Sequence, residues 1–453
     1  MLISSLEQGL HRMQWSALHF MNPTAKQTTK QTFNFATPLP APNLDQLHDF
    51  KQGLIKIAEN IEFTKHSNPL QEKLKKDIEE IKSSDKVLIG ADKTANFYKI
   101  KPEEYDKMLK ENITKDYKKA NADIVEKLDK QDKAIAEKLD IADRMYKLTK
   151  REAHITVKDH KDDFRNNPKC RLINPTKPEL GIVSKKILRA KIEIIKAKSG
   201  LVSLKDSNDL KYWFSNIHQK HAHTFIQWDF EKYYPSITKP LLMKAIEHAR
   251  KYVDFTQEEV DIILQARHSV LIHQEHPWTK KGEEPFDVTM GAYDGAEICE
   301  LVGLYILSLL AALPYGKAAQ YRDDGLMVLR GSSRQVEVKK KQIATILKST
   351  GIGITITANL KVVNFLDLTL DLETGTYKTY NKPNNTPQYV HKQSSHPPNV
   401  TKNIPLNVNQ RLSGNSSNEK LFEETAPIFQ QALKNSGYEH KLRFKQANPG
   451  EKK

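Results

Sequence analysis

The sequence predicts an α+β fold, and three observations carry that reading. Strand-like and helical periodicities are interspersed along the chain without regular alternation. The chain is long enough, at 453 residues with 38% hydrophobic and 8% aromatic residues, to bury a sizeable core. Two cysteines, Cys170 and Cys299, are too few for a disulfide framework and fit a reducing compartment. At about 150 residues per domain the length corresponds to roughly three structural units.

The elements follow in order. Residues 21–43 are rich in Thr, Gln, Asn and Pro and read as a flexible lead-in, leaving 1–43 as a flexible N-terminal segment. From Leu44 the period becomes helical (Leu47, Leu54, Ile57, Ile61) and again from Leu70 to Ile81. Lys86 to Gly90 reads as a short buried strand. The charged stretch 112–150, with Ile124, Leu128, Ile135, Leu139 and Ala142 near heptad spacing, reads as a pair of surface helices, so 44–150 is expected to be a helical extension. Between His154 and Pro175 the pattern is strand, turn, strand, with Asp162-Asp163 as part of the turn. A strand follows at Thr224 to Phe230 and a helix from Pro240 to about Val253; Thr256 and Glu259 then form a capping box.

Ala296 to Leu313 is apolar only from Leu301, after Glu297 and Glu300, and Pro314 closes it. About 13 apolar residues fall short of the roughly 20 that span a bilayer, so this is a core helix. No membrane partner is expected. Nor is secretion, since Met1 to Glu7 lacks the apolar core of a signal sequence. Two short strands, Ala318 to Tyr321 and Leu326 to Leu329, flank Asp323-Asp324-Gly325. Val362 to Leu372 alternates as a strand, with Leu366, Leu368, Leu370 and Leu372 on one face; Thr374-Gly375 turns it into Tyr377 to Tyr380. The segment after Pro405 reads as helices, and 445–453 as a polar tail.

Lys and Arg number 71 against 56 Asp and Glu, a net +15. From Arg151 to Gly200 there are 13 basic and 6 acidic residues, a local +7 that is almost half the excess. A polyanionic partner is expected, nucleic acid being the commonest.

The chemistry is expected at two acidic loci far apart in sequence. Asp229 ends an apolar strand in Trp228-Asp229-Phe230-Glu231-Lys232-Tyr233-Tyr234-Pro235. The second locus is Tyr321-Arg322-Asp323-Asp324, at the tip of a hairpin. Carboxylates sit badly in apolar surroundings without a counter-charge, and divalent cations are the usual partner. Two Mg²⁺ ions about 3.5–4 Å apart stabilise the attacking and leaving oxygens of an in-line phosphoryl displacement. Asp323-Asp324-Gly325 also reads as no more than a hairpin turn, for which Asp-Gly is favoured.

Asp229 to Ile237 is similar to the first palm motif of reverse transcriptases, and Tyr321 to Asp324 resembles their Tyr-x-Asp-Asp motif. More narrowly, six segments resemble Penelope-like retroelement reverse transcriptases: Ala91 to Tyr98, Leu180 to Lys185, Gly295 to Leu301, Asn364 to Leu370, Asn381 to Asn384 and Ser395 to Pro398. The resemblance covers roughly residues 45 to 440, nearly the whole chain. It implies a right-hand polymerase fold, with fingers and palm over 151–380 and a thumb-like region over 381–444. It further implies an RNA-directed DNA polymerase that extends a DNA primer on an RNA template from dNTPs. Mg²⁺ would be the cofactor, two ions, with Mn²⁺ a substitute. Asp229, Asp323 and Asp324 would hold the metals, and the backbone after Asp229, at Phe230, would help seat the triphosphate. Tyr234 would gate the sugar. Arg171 first and Lys158 second would grip the triphosphate, since Arg holds two phosphate oxygens at once. Lys185, Lys186, Arg189 and Tyr321 would contact template and primer. Met290-Gly291-Ala292-Tyr293-Asp294-Gly295 stands where many reverse transcriptases have Pro-Gln-Gly; Gly291 and Gly295 would let backbone approach the incoming base pair. Relatives often carry a GIY-YIG endonuclease after the thumb, and none is recognisable beyond Arg443-Phe444. Nuclear residence follows from the resemblance alone, with the cytoplasm as the alternative.

Two other readings stand beside this one. A retroelement remnant would bind RNA or template-primer without synthesis. A two-metal nuclease would use the same carboxylates and shorten rather than lengthen a chain. His218, His221 and His223 invite a zinc reading, but no cysteine is near and no structural zinc is expected. Lys339-Lys340-Lys341 reads as a solvated helix face or a nuclear address.

Overall fold

The computed structural model describes residues 2–21, 31–32, 35–36, 47–62, 68–121, 123–139, 142, 151–159, 161, 163–175, 180–282, 284–314, 316–382 and 385–445. Most of the expected flexible lead-in, His160, Asp162, Pro383, Asn384 and the polar tail from 446 lie outside the described residues. The chain divides into two compact units, Met1–Glu72 and Lys73–Lys453.

The first unit holds helix α1 (Leu2–Met21), so residues 2–21 of the expected flexible segment 1–43 are helical, the strand pair β1 (Gln31–Thr32) and β2 (Phe35–Ala36), and helix α2 (His48–Glu59). Helix α3 (Pro69–Ser83) begins in it and continues into the second unit.

The second unit opens with the hairpin β3 (Val87–Gly90) and β4 (Phe97–Ile100), helix α4 (Pro102–Asp116), strand β5 (Tyr117–Lys119) and helix α5 (Asp123–Lys138). Among its described residues the stretch 112–150 contains the end of α4, strand β5 and helix α5, with Leu139 and Ala142 beyond the end of α5. The strand arises because Tyr117 is buried and pairs across a sheet rather than continuing α4. Likewise 44–150 is not purely helical, since β3, β4 and β5 lie within it. A second hairpin, β6 (His154–Val157) with β7 (Cys170–Ile173), sits beside the first through a bridge between Ala91 and Val157. Ile89, Ile113, Tyr117, Ile155 and Val157 form the core between them.

Helices α6 (Gly181–Ser199) and α7 (Ser207–Ser215) lead to strand β8 (Thr224–Phe230), whose β-branched and aromatic residues suit a sheet covered on both faces. Next come the short helix α8 (Tyr233–Ser236), α9 (Lys239–Ala249), and α10 (Gln257–Gln265) with the expected Thr256–Glu259 capping box. Strands β9 (Leu271–His273) and β10 (His276–Lys280) form a sheet in the order β5-β10-β9. The expected core helix is α11 (Gly295–Ala311). Among the described residues no helix is long and apolar enough to cross a membrane.

Strands β11 (Lys317–Tyr321) and β12 (Asp324–Leu329), helix α12 (Ser333–Lys348) and strand β13 (Ile354–Leu360) complete the central sheet, ordered β11-β12-β8-β13 and antiparallel throughout. The run Val362–Leu372 is not one strand. It folds into β14 (Val362–Phe365) and β15 (Leu368–Asp371) across a turn at Leu366-Asp367, and β16 (Thr376–Thr379) extends the meander. Leu366 sits at φ 53°, a conformation rare for a branched residue. The Arg411–Asp367 ion pair (3.1 Å) and the Tyr380 amide on the Asp367 carbonyl (2.8 Å) hold this turn. Helices α13 (Pro398–Gly414) and α14 (Glu419–Asn435) end the described chain. The helical segment therefore starts before Pro405, which lies inside α13 with its ring buried. Burial offsets the hydrogen bond that a helix-interior proline gives up.

Candidate active site

Asp229 is the penultimate residue of β8, and Asp324 is the first of β12. Register places them directly opposite each other. Asp323 occupies the two-residue turn that joins β11 to β12, where Tyr321 pairs with Asp324 and Arg322 adopts φ 52°. The turn is tied down on both sides: the Phe230 amide donates to the Asp323 carbonyl (3.0 Å), and the buried Gln320 carboxamide donates to the Arg322 carbonyl (2.7 Å). Non-local pairing of β8 with β12 thus brings the three sequence-predicted carboxylates to one end of the sheet. Trp228 and Gly325, also opposite in register, explain their neighbours' identities. A Cβ on Gly325 would lie 1.9 Å from the Trp228 indole, so only glycine lets that buried ring cross the hairpin.

Burial and the adjoining charges of Asp323 and Asp229 push the Asp324 carboxyl up to about 7. The Asp229 carboxyl is also raised, by burial first and Asp323 second, while the hydrogen bond from Asp324 and the charges of Lys93 and Lys161 offset this. The two facing carboxyls thus share a hydrogen bond, and their mutual repulsion and burial favour one proton held between them. Among the described residues no group of three or more His, Cys, Asp or Glu is gathered closely enough to form a preformed metal cage. The donor chemistry still fits Mg²⁺, which takes one or two carboxylates and completes its shell with water and substrate phosphate. A cation here would displace the shared proton.

Two cations that face these acids had no role assigned from sequence. Lys93, in the turn between β3 and β4, acts on Asp229, Asp324, Lys158 and Lys382. The half-buried Lys382 ammonium is pushed down by burial and Lys93, and held up by Asp324, Asp367 and Asp92. Both lie in segments noticed only as motifs, Ala91–Tyr98 and Asn381–Asn384.

The Ala91–Tyr98 motif has a physical basis. Thr94, Asn96 and Tyr98 all donate to one oxygen of buried Asp159, at 2.6, 2.8 and 2.9 Å, locking the β3–β4 hairpin onto the end of β6. Asp92 pairs with Arg171 (2.7 Å) and donates its amide to the Val157 carbonyl (2.8 Å). Lys158 lies within the influence of Arg171 and Asp92; burial first, then Arg171, lowers its ammonium. Removing the shared acceptor strands three donors, so Asp159→Ala should cost about 2–4 kcal/mol. Denaturant unfolding of the full chain would measure this, and a loss below about 0.5 kcal/mol would contradict it.

The other expected site residues are placed as follows. The half-buried Tyr234 ring lies against Gly295, where a Cβ would sit 3.5 Å from the ring and 2.7 Å from the Thr289 carbonyl. Burial raises its phenol. The next residue is anchored by Lys280, which bonds the Pro235 carbonyl and Asp287 (3.2 Å); Asp287 in turn accepts from Tyr117 at 2.5 Å. Phe230 presents no free amide, and its buried ring stacks on Tyr233 with centroids 5.2 Å apart. The Glu231 amide is likewise engaged by the Gly353 carbonyl. Gly291 packs on the end of β7: a Cβ there would lie 2.0 Å from the Asn174 carbonyl. Lys185 and Arg189 both reach Glu297 of α11, at 3.7 and 2.7 Å, so they tie two helices together, and exposed Lys186 lies beside them on α6. Tyr321 packs against the core beneath the sheet, with Arg322 over its ring at 5.2 Å. The fully buried Arg267–Asp294 pair, joined by Ser184, sits at the start of α11; sequence reasoning missed it.

The family model for an animal helix-turn-helix domain matches residues 388–448, the region of α13 and α14. No curated protein matches the chain in sequence. Among solved structures, the chain is similar to telomerase from Candida albicans in complex with a TWJ fragment of telomeric RNA. The two are 12% identical, with a TM-score of 0.51 over 77% of this chain and 60% of that one. It is similar to apo telomerase from Candida tropicalis at 9% identity and a TM-score of 0.50, over 87% and 75% of the two chains. The RNA-dependent RNA polymerase of a human picobirnavirus matches at 10% identity and a TM-score of 0.45, over 86% and 84%. The chain thus spans about 60% of the length of the Candida albicans protein. With the carboxylates at one end of a four-stranded antiparallel sheet, the chain has the right-hand polymerase fold.

Proposed function

We propose that the chain is an RNA-directed DNA polymerase of the Penelope-like retroelement type. The observation that carries this is the register of β8 and β12, which sets Asp229 opposite Asp324 with Asp323 in the adjoining turn. Two Mg²⁺ ions held by these carboxylates would supply Lewis-acid stabilisation of the attacking and leaving oxygens. The primer 3′-hydroxyl oxygen would attack the α-phosphorus of the dNTP and give up its proton to solvent, the bond from the α-phosphorus to the bridging oxygen would break, and pyrophosphate would leave. Arg171, kept in place by Asp92, and Lys158 would hold the triphosphate from the hairpins β3–β4 and β6–β7, and Lys93 adds a third cation toward the carboxylates. Tyr234, fixed between Gly295 and the Lys280-anchored Pro235, excludes a 2′-hydroxyl by contact. The helix-turn-helix region of α13 and α14 would serve as the thumb-like part that contacts the template-primer duplex. The RNA in the Candida albicans structure supports an RNA partner of the same chemistry here.

The raised Asp324 carboxyl makes the metal requirement depend on pH. Because Asp324 keeps its proton up to about pH 7, a cation must expel that proton to bind. Apparent Mg²⁺ affinity should therefore fall about tenfold per pH unit below 7 and level off above it. Magnesium titrations of single-nucleotide incorporation between pH 6 and 8.5 would read this directly. A half-saturating Mg²⁺ concentration that does not change with pH would contradict it.

A further inference from the structure

The open end of the β11–β12 hairpin, opposite the carboxylates, holds a cavity of about 480 Å³. Two motifs that the proposed reaction leaves unused meet there: the histidine segment before β8 and the lysine run of α12. Its lining includes His218, His223, Lys317, Arg330 and Lys339 around an apolar floor of Ile217, Val328 and Leu329, and it includes no carboxylate. Glu337, two residues from Lys339 on α12, is engaged elsewhere, by Lys340 (3.2 Å) and the Asn359 amide (3.1 Å).

The arrangement is built, not merely a solvated lysine face. Gln219 adopts φ 48°, which folds its turn back over the hairpin. His223 Nδ1 lies 3.0 Å from the Gln219 carbonyl, and its Nε2 accepts from Arg330 Nε at 3.2 Å. Arg330 Nη2 donates to Gln219 Oε1 at 2.5 Å, which leaves the Nη1 side of a fixed guanidinium for a ligand. Lys339 Nζ is drawn in by the Arg330 carbonyl at 3.1 Å. A held arginine loses less freedom on gripping phosphate than a mobile one. The volume is that of a pocket for one nucleotide-sized group, with imidazoles and an apolar floor for its base and cations for its phosphate.

We infer that this cavity binds a nucleotide unit of single-stranded RNA outside the catalytic cleft. Strand rise places it about 15–20 Å from Asp324, beyond the reach of a nucleotide in the active site. The choice of RNA as the polymer rests on the proposed polymerase reading; the phosphate chemistry does not.

The test is anisotropy of a labelled single-stranded oligoribonucleotide with the full chain over a salt series. Wild type is compared with the triple variant Lys317→Gln, Arg330→Gln, Lys339→Gln, and with Lys317→Glu, which alters only an exposed side chain. The triple variant should bind about tenfold or more weakly, and lose about 2 from the slope of log K against log salt. Lys317→Glu should show a smaller loss in the same direction. A 4-thiouridine oligonucleotide should crosslink within 217–223 or at 317–330 in wild type only. Unchanged affinity and slope in both variants would overturn the inference. So would displacement of the oligonucleotide by AMP or inorganic phosphate at the same concentrations as by RNA, since that marks a free-nucleotide or phosphate site. Primer extension on a short template-primer is run in parallel. Failure of extension in wild type, with RNA binding still lost in the triple variant, would remove the polymerase reading and leave this site standing.

Discussion

Asp323→Asn combined with Asp324→Asn should reduce primer extension by at least about a thousandfold, because charge stabilisation at the transferring phosphoryl group is usually the largest catalytic contribution. The protein should stay folded, and the sign of the Asp324 shift says more. Its folded carboxyl is raised from 3.8 to about 7, so its contribution to stability is fully present below the unfolded value and is lost as pH rises through 7. Metal-free wild type should therefore weaken between pH 4 and 7, by up to about 1.4 kcal/mol per unit from this group. Asp324→Asn removes that loss, and its unfolding midpoint at pH 8 without Mg²⁺ should exceed that of wild type. Template-primer binding should persist with its salt dependence, since phosphate contacts from basic residues dominate it. An inactive variant that is also less stable at pH 8 would mean that the aspartates support the fold rather than the chemistry.

The second large effect concerns Gly325→Ala. The new methyl would lie 1.9–2.2 Å from three atoms of an indole that is 1% exposed and cannot swing away. Overpacking of this kind costs about 3 kcal/mol or more when the neighbour is rigid. It falls on the strand pair that aligns Asp229 with Asp324, so activity should fall together with stability. Trp228→Phe alone opens space and destabilises, yet combined with Gly325→Ala the two costs should be less than additive. Urea unfolding of the two single variants and the double variant measures the coupling. Full additivity, or a Gly325→Ala change within about 0.5 kcal/mol of wild type, would show that the indole does not occupy this position.

The carboxylate end of the central sheet was legible from sequence because local chemistry announces it. Thr224 to Phe230 is a strand by composition, and an Asp-Asp-Gly turn sits between two short apolar runs, so both acidic loci stand out before any pairing is known. The cations were not legible. Lys93 and Lys382 act on the carboxylates only through long-range packing of the β3–β4 hairpin and the chain after β16, and a lone lysine has no period or cap to mark it. Asp159 was similarly hidden, since nothing local shows that three donors from another hairpin converge on it. The Leu366 turn was missed for a different reason. Alternation continues unbroken through a two-residue turn, so Val362 to Leu372 reads as one strand although the chain reverses at Leu366-Asp367. Pro405 misled because proline usually opens a helix rather than sitting inside one. The capping box of Ser332 and Gln335 at α12, by contrast, was present in sequence and went unread.

The most direct measurement is extension of a labelled DNA primer annealed to an RNA template, with Mg²⁺ and either dNTPs or ribonucleotides. The proposed polymerase reading, with Asp229, Asp323 and Asp324 at one end of the sheet and Tyr234 as the proposed sugar gate, leads to extension with dNTPs and little with ribonucleotides. A primer that is shortened would assign the same carboxylates to a nuclease. A primer bound but unchanged would make the chain a binding remnant, and either result would contradict the polymerase reading.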